Sequence, residues 1–273
     1  MLKTSFITGL AILLLTACQY ALSPWEKDLN CPQLWVPDNI DRIQALEAES
    51  GLKDHFKVAV LGDPQMYPES LQDTVELLNS RDDVDFIFLL GDLVEIGIKQ
   101  EYEWVCKALS HTSKPIVSVI GNHDSLSYGK EIWLENIGPY DFSFTYQQTK
   151  FIAYNDNKYE FENVPDRTWL AEQAALEANE IRHHTIGASH IAPWDTDLQL
   201  SEFLFAEGFD HMIHAHKHSF DYWQLLEVGL PHYVVADVRD VNFGIMTIYP
   251  NASIPVAIEN CTPDCAPAVV RNK

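Results

Sequence analysis

The sequence predicts an α/β domain over residues 51–260, with two β-sheets packed face to face and helices on the outside. Three observations predict it. Short apolar runs ending in glycine alternate with stretches of helical spacing between residues 57 and 121, the pattern of parallel βαβ units. Two aromatic-rich runs then flank a polar turn. Beyond residue 184, further apolar runs lead into histidines or break at Gly and Pro. A hydrophobic fraction of 47% over 273 residues supplies a sizeable core and argues against global disorder.

Residues 1–17 (MLKTSFITGLAILLLTA) read as a secretory signal: Lys3 gives a positive start, and Ile7 to Leu15 an apolar run too short for a stable span. The ending Leu15-Thr16-Ala17-Cys18 resembles a bacterial lipobox. That resemblance implies cleavage before Cys18 and membrane anchoring through lipid on its sulfur, in the cell envelope, periplasmic or outer-membrane. Residues 18–50, with Pro24, Pro32 and Pro37 and an apolar-acidic stretch from Ile40 to Ala48, read as a tether and a short packing helix.

Lys57–Leu61 is a buried strand closed by Gly62, and Leu71, Val75 and Leu78 mark a helix over 68–80. Val84–Leu90 is the second strand, closed by Gly91. Tyr102, Val105, Cys106 and Leu109 mark the next helix, and Pro115–Ile120 the third strand, closed by Gly121. Phe142–Tyr146 and Phe151–Tyr154 around the polar QQTK segment form a hairpin. Trp169, Leu170, Ala174, Ala178 and Ile181 mark a helix. Thr185–Ser189 and His211–Ala215 are strands followed by histidines, and residues 221–259 suggest antiparallel strands. Residues 261–273 are left as a C-terminal tail. Beyond Cys18, the turn-like CTPDC segment favours a Cys261–Cys265 pair, Cys106 reads as a buried free thiol on its helix, and none of the four cysteines has zinc-site CxxC spacing.

Forty acidic against 18 basic residues leave a formal charge of −22. Such a surface repels phosphate backbones, which excludes sequence-independent nucleic-acid binding, although a bound cation still attracts an anion locally.

Polar residues follow the strands in register: Gly62-Asp63-Pro64-Gln65, Gly91-Asp92 and Gly121-Asn122-His123-Asp124. One Gly-Asp is common in turns, but three at successive strand ends lie where open α/β sheets bind ligands. His190 follows a later strand, and His216 and His218 alternate after the next, so both rings can face one site. Carboxylate, amide and imidazole donors together suit divalent zinc, manganese or iron, and the set suffices for two ions sharing a carboxylate.

In the order GDPQ, GDLVE, GNHD, SHIAP and AHKH, residues 62–218 resemble the calcineurin-like metallophosphoesterase superfamily. The resemblance implies a four-layer αββα fold and hydrolysis of phosphate esters by a hydroxide activated between two metals. It implies that Asp63, Gln65, Asp92 and His218 hold one metal and that Asp92, Asn122, His190 and His216 hold the other. It gives His123 a place at the phosphate and the leaving oxygen, and Asp124 the task of orienting His123 or its backbone. The short interval from Asp124 to Tyr140 leaves little room for a cap, which favours an open cleft and a monoesterase over a diesterase.

Two departures from the family pattern stand out. Gln65 occupies a histidine position, as in a DPQ-bearing minority branch, and its amide moves the site toward manganese, magnesium or calcium. Ala215 replaces a glycine, which is tolerable at negative φ. His214 and the remaining histidines read as structural, Glu95 as an acid at a helix start, and Tyr67, Trp194, Phe220 and Tyr222 as candidates to line a cleft. The alternative function is a non-catalytic metal-binding envelope lipoprotein in which Gln65 has cost the activity.

Overall fold

A computed structural model describes residues 23, 26–175, 182–193, 199–225, 228–253 and 255–273. The leader over 1–17, the lipidation site Cys18, and Trp194, Ala178 and Ile181 lie outside the described residues. Among the described residues, no helix is long and apolar enough to cross a membrane.

Among the described residues, thirteen strands form two sheets. The first has six strands, in the order β12 (Asp264–Pro267), β11 (Val256–Thr262), β10 (Phe243–Ile248), β1 (Phe56–Leu61), β2 (Phe86–Leu89) and β3 (Ile116–Ser118). β1, β2 and β3 run parallel, because a crossover helix joins each to the next, Pro68–Asn79 between β1 and β2 and Lys99–Leu109 between β2 and β3. The second has seven, in the order β13 (Arg271–Asn272), β8 (Asp221–Gln224), β9 (Pro231–Val234), β7 (His211–His214), β6 (His184–Ala188), β5 (Thr149–Ala153) and β4 (Phe142–Tyr146). Here β5, β6, β7 and β9 are parallel neighbours. The central strands β1, β2 and β10 are apolar and buried on nearly every residue, as strands covered on both faces must be.

The sheets meet through aromatic side chains. Phe56 and Phe86 from the first pack edge-on against Tyr146 and Phe151 from the second, with ring centroids 5.1 Å (Phe56–Tyr146) and 5.6 Å (Phe86–Phe151) apart. On the far side of the second sheet, Ile152, Tyr154 and Met212 bury Leu170 and Leu200 of helices Arg167–Ala174 and Gln199–Ala206. The four-layer expectation is met.

Three details depart from the sequence reading. The hairpin turn is shorter than QQTK: only Gln147 and Gln148 turn, at φ 51° and 61°, the two left-handed positions of a two-residue hairpin. Cys106 is not a free thiol but is bonded to Cys31, while Cys261 and Cys265 pair as expected. Helical spacing showed that Cys106 faces inward; it carried no information about a partner 75 residues away. The expected packing helix is present over Val36–Ser50, and the Cys31–Cys106 bond fastens the segment before it. The helix Val36–Ser50 carries Pro37 in its first turn, where the missing N–H costs nothing, and Asn39 Oδ1 accepts the Ile116 N–H of edge strand β3 at 3.2 Å. Finally, the expected tail pairs at both ends: β12 folds back on β11 across the Cys261–Cys265 bond, and β13 adds to β8. A disulfide and backbone pairing hold a segment whose composition lacks a strand signal.

Candidate metal centre

The carboxyl ends of β1, β2 and β3 in one sheet and of β6, β7 and β9 in the other converge on one point. The loops clasp each other by backbone hydrogen bonds: Asp63 N–H to the Gly91 carbonyl (3.2 Å), Gln65 N–H to that of Asp92 (3.1 Å) and Ala215 N–H to that of His190 (3.0 Å). Contact this close demands small residues. A Cβ on Gly62 would stand 2.7 Å from the Ala215 Cβ, and one on Gly121 would overlap the backbone and carboxylate of Asp92. Ala215 is not among the residues with positive φ, so its methyl is tolerated there and fills the space that Gly62 leaves. Asp63, Asp92, His216 and His218 all have left-handed φ, between 50° and 68°. Four non-glycine residues in that region, all aimed at one point, mark a site where backbone strain is retained for the placement of side chains.

Two groups of side chains offer donor atoms within 4.8 Å of one another: Asp92, His190 and His216, and Asp63, Asp92 and His218. Asp92 belongs to both. His190 Nε2 lies 3.2 Å from Asp92 Oδ2, from Asn122 Oδ1 and from His216 Nδ1. Its other ring nitrogen sits 2.7 Å from the Leu90 carbonyl, which fixes the ring and leaves Nε2 facing the group. His218 Nε2 is 3.6 Å from Asp63 Oδ1. The Gln65 amide reaches Asp92 Oδ2 at 2.8 Å, and turned over it would present Oε1 instead.

Burial pushes the Asp63 carboxyl well above its ordinary range, with Asp92 adding to the effect. Burial also works against the charge on Asp92, but His190 beside it holds that carboxylate down. Burial opposes a charge on His190 too, yet Asp92 and Asp63 carry it up to about 10. A buried pair of carboxylates that recruits a proton onto a histidine is a site short of positive charge. A divalent cation supplies that charge, and the oxygen and nitrogen donors fit it.

His123 stands at the mouth of this cluster, one-third exposed. Its N–H donates to Asp92 Oδ1 at 2.9 Å, and its ring Nδ1 lies 2.7 Å from the Glu95 carbonyl oxygen. Asp124 does not touch the His123 ring. Its carboxylate, wholly buried, accepts the N–H groups of Val94 (3.1 Å) and Gly121 (2.8 Å), tying the loop after β2 to the loop after β3, and burial pushes its carboxyl up to about 7. Its place in the structure is thus to hold these two loops in register beside the cluster. Glu95, read from sequence as a helix-start acid, supplies the contact that orients the histidine.

Sequence reasoning missed Asp237 and Arg239. Asp237 is buried, 3.5 Å from His218 Nδ1, and accepts a hydrogen bond from Arg239 Nη2 at 3.1 Å; Arg239 also covers the ring of Tyr67. The signal was present, since Val234–Ala236 is one more apolar run ending in an aspartate. His214 is structural, as expected: it is buried and bridges Ser189 and His232 at 3.0 Å each. Tyr222 packs against His211 and Tyr233.

Residues 56–220, more than half of the chain, match the family profile described as calcineurin-like phosphoesterase. No curated protein sequence matches. Among solved structures, the chain resembles a purple acid phosphatase of yellow lupin seeds (TM-score 0.62, 13% identity, 82% of this chain and 55% of that one). It also resembles the GAP50 anchor of the inner membrane complex of Plasmodium (TM-score 0.59, 14% identity, 81% and 90%). A third is a hypothetical protein of Thermus thermophilus (TM-score 0.51, 14% identity, 78% and 100%). At these identities the likeness is one of fold. The chain spans little more than half the length of the lupin enzyme.

Proposed function

The chain belongs to the calcineurin-like phosphoesterase family, metal-dependent hydrolases of phosphoric esters, and from that premise we propose that it is a two-metal phosphomonoesterase carried on the cell envelope by lipid on Cys18. The observation that supports the two-metal reading most is the sharing of Asp92 between two donor groups. In this reading Asp63, Gln65, Asp92 and His218 hold one ion, and Asp92, Asn122, His190 and His216 the other. Manganese, iron or zinc fits the imidazoles, and the amide of Gln65 also admits magnesium or calcium. Bound metals supply Lewis acidity toward the phosphoryl oxygens and a lowered pKa for water.

The chain's own residues do the rest. With Nδ1–H given to the Glu95 carbonyl, His123 has Nε2 free to carry a proton to the leaving oxygen. Its N–H, donated to Asp92, keeps that ring next to the shared carboxylate. Asp237 orients His218 from behind. Between Asp124 and Tyr140 stands only the short helix Gly129–Asn136, which leaves the cleft open and supports a monoesterase. The two disulfides favour an oxidising compartment and hence export.

The test uses residues 19–273 made in an oxidising compartment. An aryl monoester and an aryl diester are assayed after metal stripping and after reloading with each of the five metals. Metal-dependent hydrolysis of the monoester, falling about a hundredfold in His123→Ala at unchanged metal content, is expected. Bound metal with no turnover of either ester would favour the non-catalytic alternative.

A further inference from the structure

Beside the donor cluster the surface opens into a cavity of ≈ 470 Å³, between the start of helix Pro68–Asn79 and one face of helix Lys99–Leu109. Gln65 and Glu95 line it. These are the residues whose amide reaches Asp92 and whose carbonyl holds His123, so the cavity adjoins the reaction centre across Gln65 and Glu95. Met66 and Trp104 also line it and are 66% and 50% exposed, large apolar surfaces left in water at the edge of a polar site. Their burial by a ligand is favourable, and a cavity of this size takes a ring system with a side chain. Around the apolar walls stand Glu69, Glu95 and Glu101 against the one cation Lys107. That balance repels an anionic group and, with the face of the Trp104 indole, attracts an ammonium.

We propose that this cavity receives the alcohol part of the phosphate ester, and that the substrate class is an ester of a bulky apolar alcohol without negative charge, an amine-bearing one preferred. The inference rests on the phosphoesterase reading and goes beyond it in naming what the leaving group is. Nucleotides and other esters with further anionic groups are excluded by the same carboxylates.

Four aryl monoesters with similar phenol leaving groups test it: phenyl phosphate, 4-ethylphenyl phosphate, O-phosphotyramine and 3-(4-phosphonooxyphenyl)propionate. On the metal-loaded wild type, kcat/KM is expected to rise about threefold or more from the propionate to the ethyl ester, and again to the tyramine ester. Glu69→Gln narrows the charge-dependent spread. Trp104→Ala lowers the ethyl and tyramine esters by a larger factor than phenyl phosphate, so that the series converges. Tyramine alone, titrated calorimetrically into metal-stripped protein, binds the wild type and not Trp104→Ala. Metal-dependent turnover of phenyl phosphate with equal kcat/KM across the series, or a spread untouched by Trp104→Ala, overturns the inference and leaves the phosphoesterase reading standing. Failure to hydrolyse any of the four overturns both.

Discussion

Asp124 offers the sharpest division between positioning and chemistry. Its two carboxylate oxygens accept one buried N–H each, from Val94 and Gly121, and the Tyr102 hydroxyl donates to its carbonyl at 3.0 Å. In Asp124→Asn one oxygen remains, and the second N–H faces an NH2 donor. A buried donor left unpaired costs about 1–3 kcal/mol. Asp124→Ala orphans both donors and is expected to cost about twice as much as the Asn variant. The freed Gly121 lies against Asp92, so metal affinity should fall with stability. Urea unfolding of the metal-stripped proteins reads the first effect without a contribution from bound ions, and metal titration reads the second. If Asp124→Asn unfolds within ~0.5 kcal/mol of the wild type, the scatter of ordinary surface changes, yet loses turnover at unchanged metal affinity, then the carboxylate acts in the chemistry and the assignment above is wrong.

Further expectations follow from single contacts. The Cys31–Cys106 bond closes a loop with a sequence separation of 75, worth up to about 4 kcal/mol by chain entropy; a Cys31→Ser, Cys106→Ser protein should lose a measurable part of that in urea, and equal stability would deny the bond its fastening role. Asp237→Ala removes the group behind His218 and should weaken one of two metal-binding steps ten- to hundredfold, leaving the other in place; equal loss at both steps, or at neither, contradicts the geometry. Burial holds His211 down to about 3. The unfolded chain, titrating near 6.5, therefore binds one more proton between these values, and stability falls as pH drops below about 6.5. This group alone costs about 2 kcal/mol at pH 5, and His211→Gln should flatten the pH dependence of stability by about 1.4 kcal/mol per unit.

Much of this was legible in the sequence because the local signals agreed. Apolar runs such as Val58–Leu61 and Phe86–Leu89 are buried along their whole length, and the glycines closing them stand where a Cβ would strike the opposite loop. The strand-end residues Asp63, Asp92, Asn122, His190, His216 and His218 come together because parallel strands all end on the same side of a sheet. What escaped was set by distance rather than by local pattern. Nothing near Cys106 indicates Cys31, and nothing in CTPDCAPAVVRN indicates that β13 reaches the edge of the other sheet. The role of Glu95 was hidden because it acts through its backbone carbonyl, which every residue possesses. The role of Asp237 is a tertiary one, acquired only when β9 lies beside β7 and brings it behind His218.

The central claim is that one carboxylate, Asp92, belongs to two metal sites. Anomalous diffraction from crystals of the manganese-loaded protein tests it most directly. The account predicts two ions per chain, about 3.5–4 Å apart, with Asp92 between them, and loss of both in Asp92→Ala. A single ion, or a pair that persists in Asp92→Ala, would contradict it.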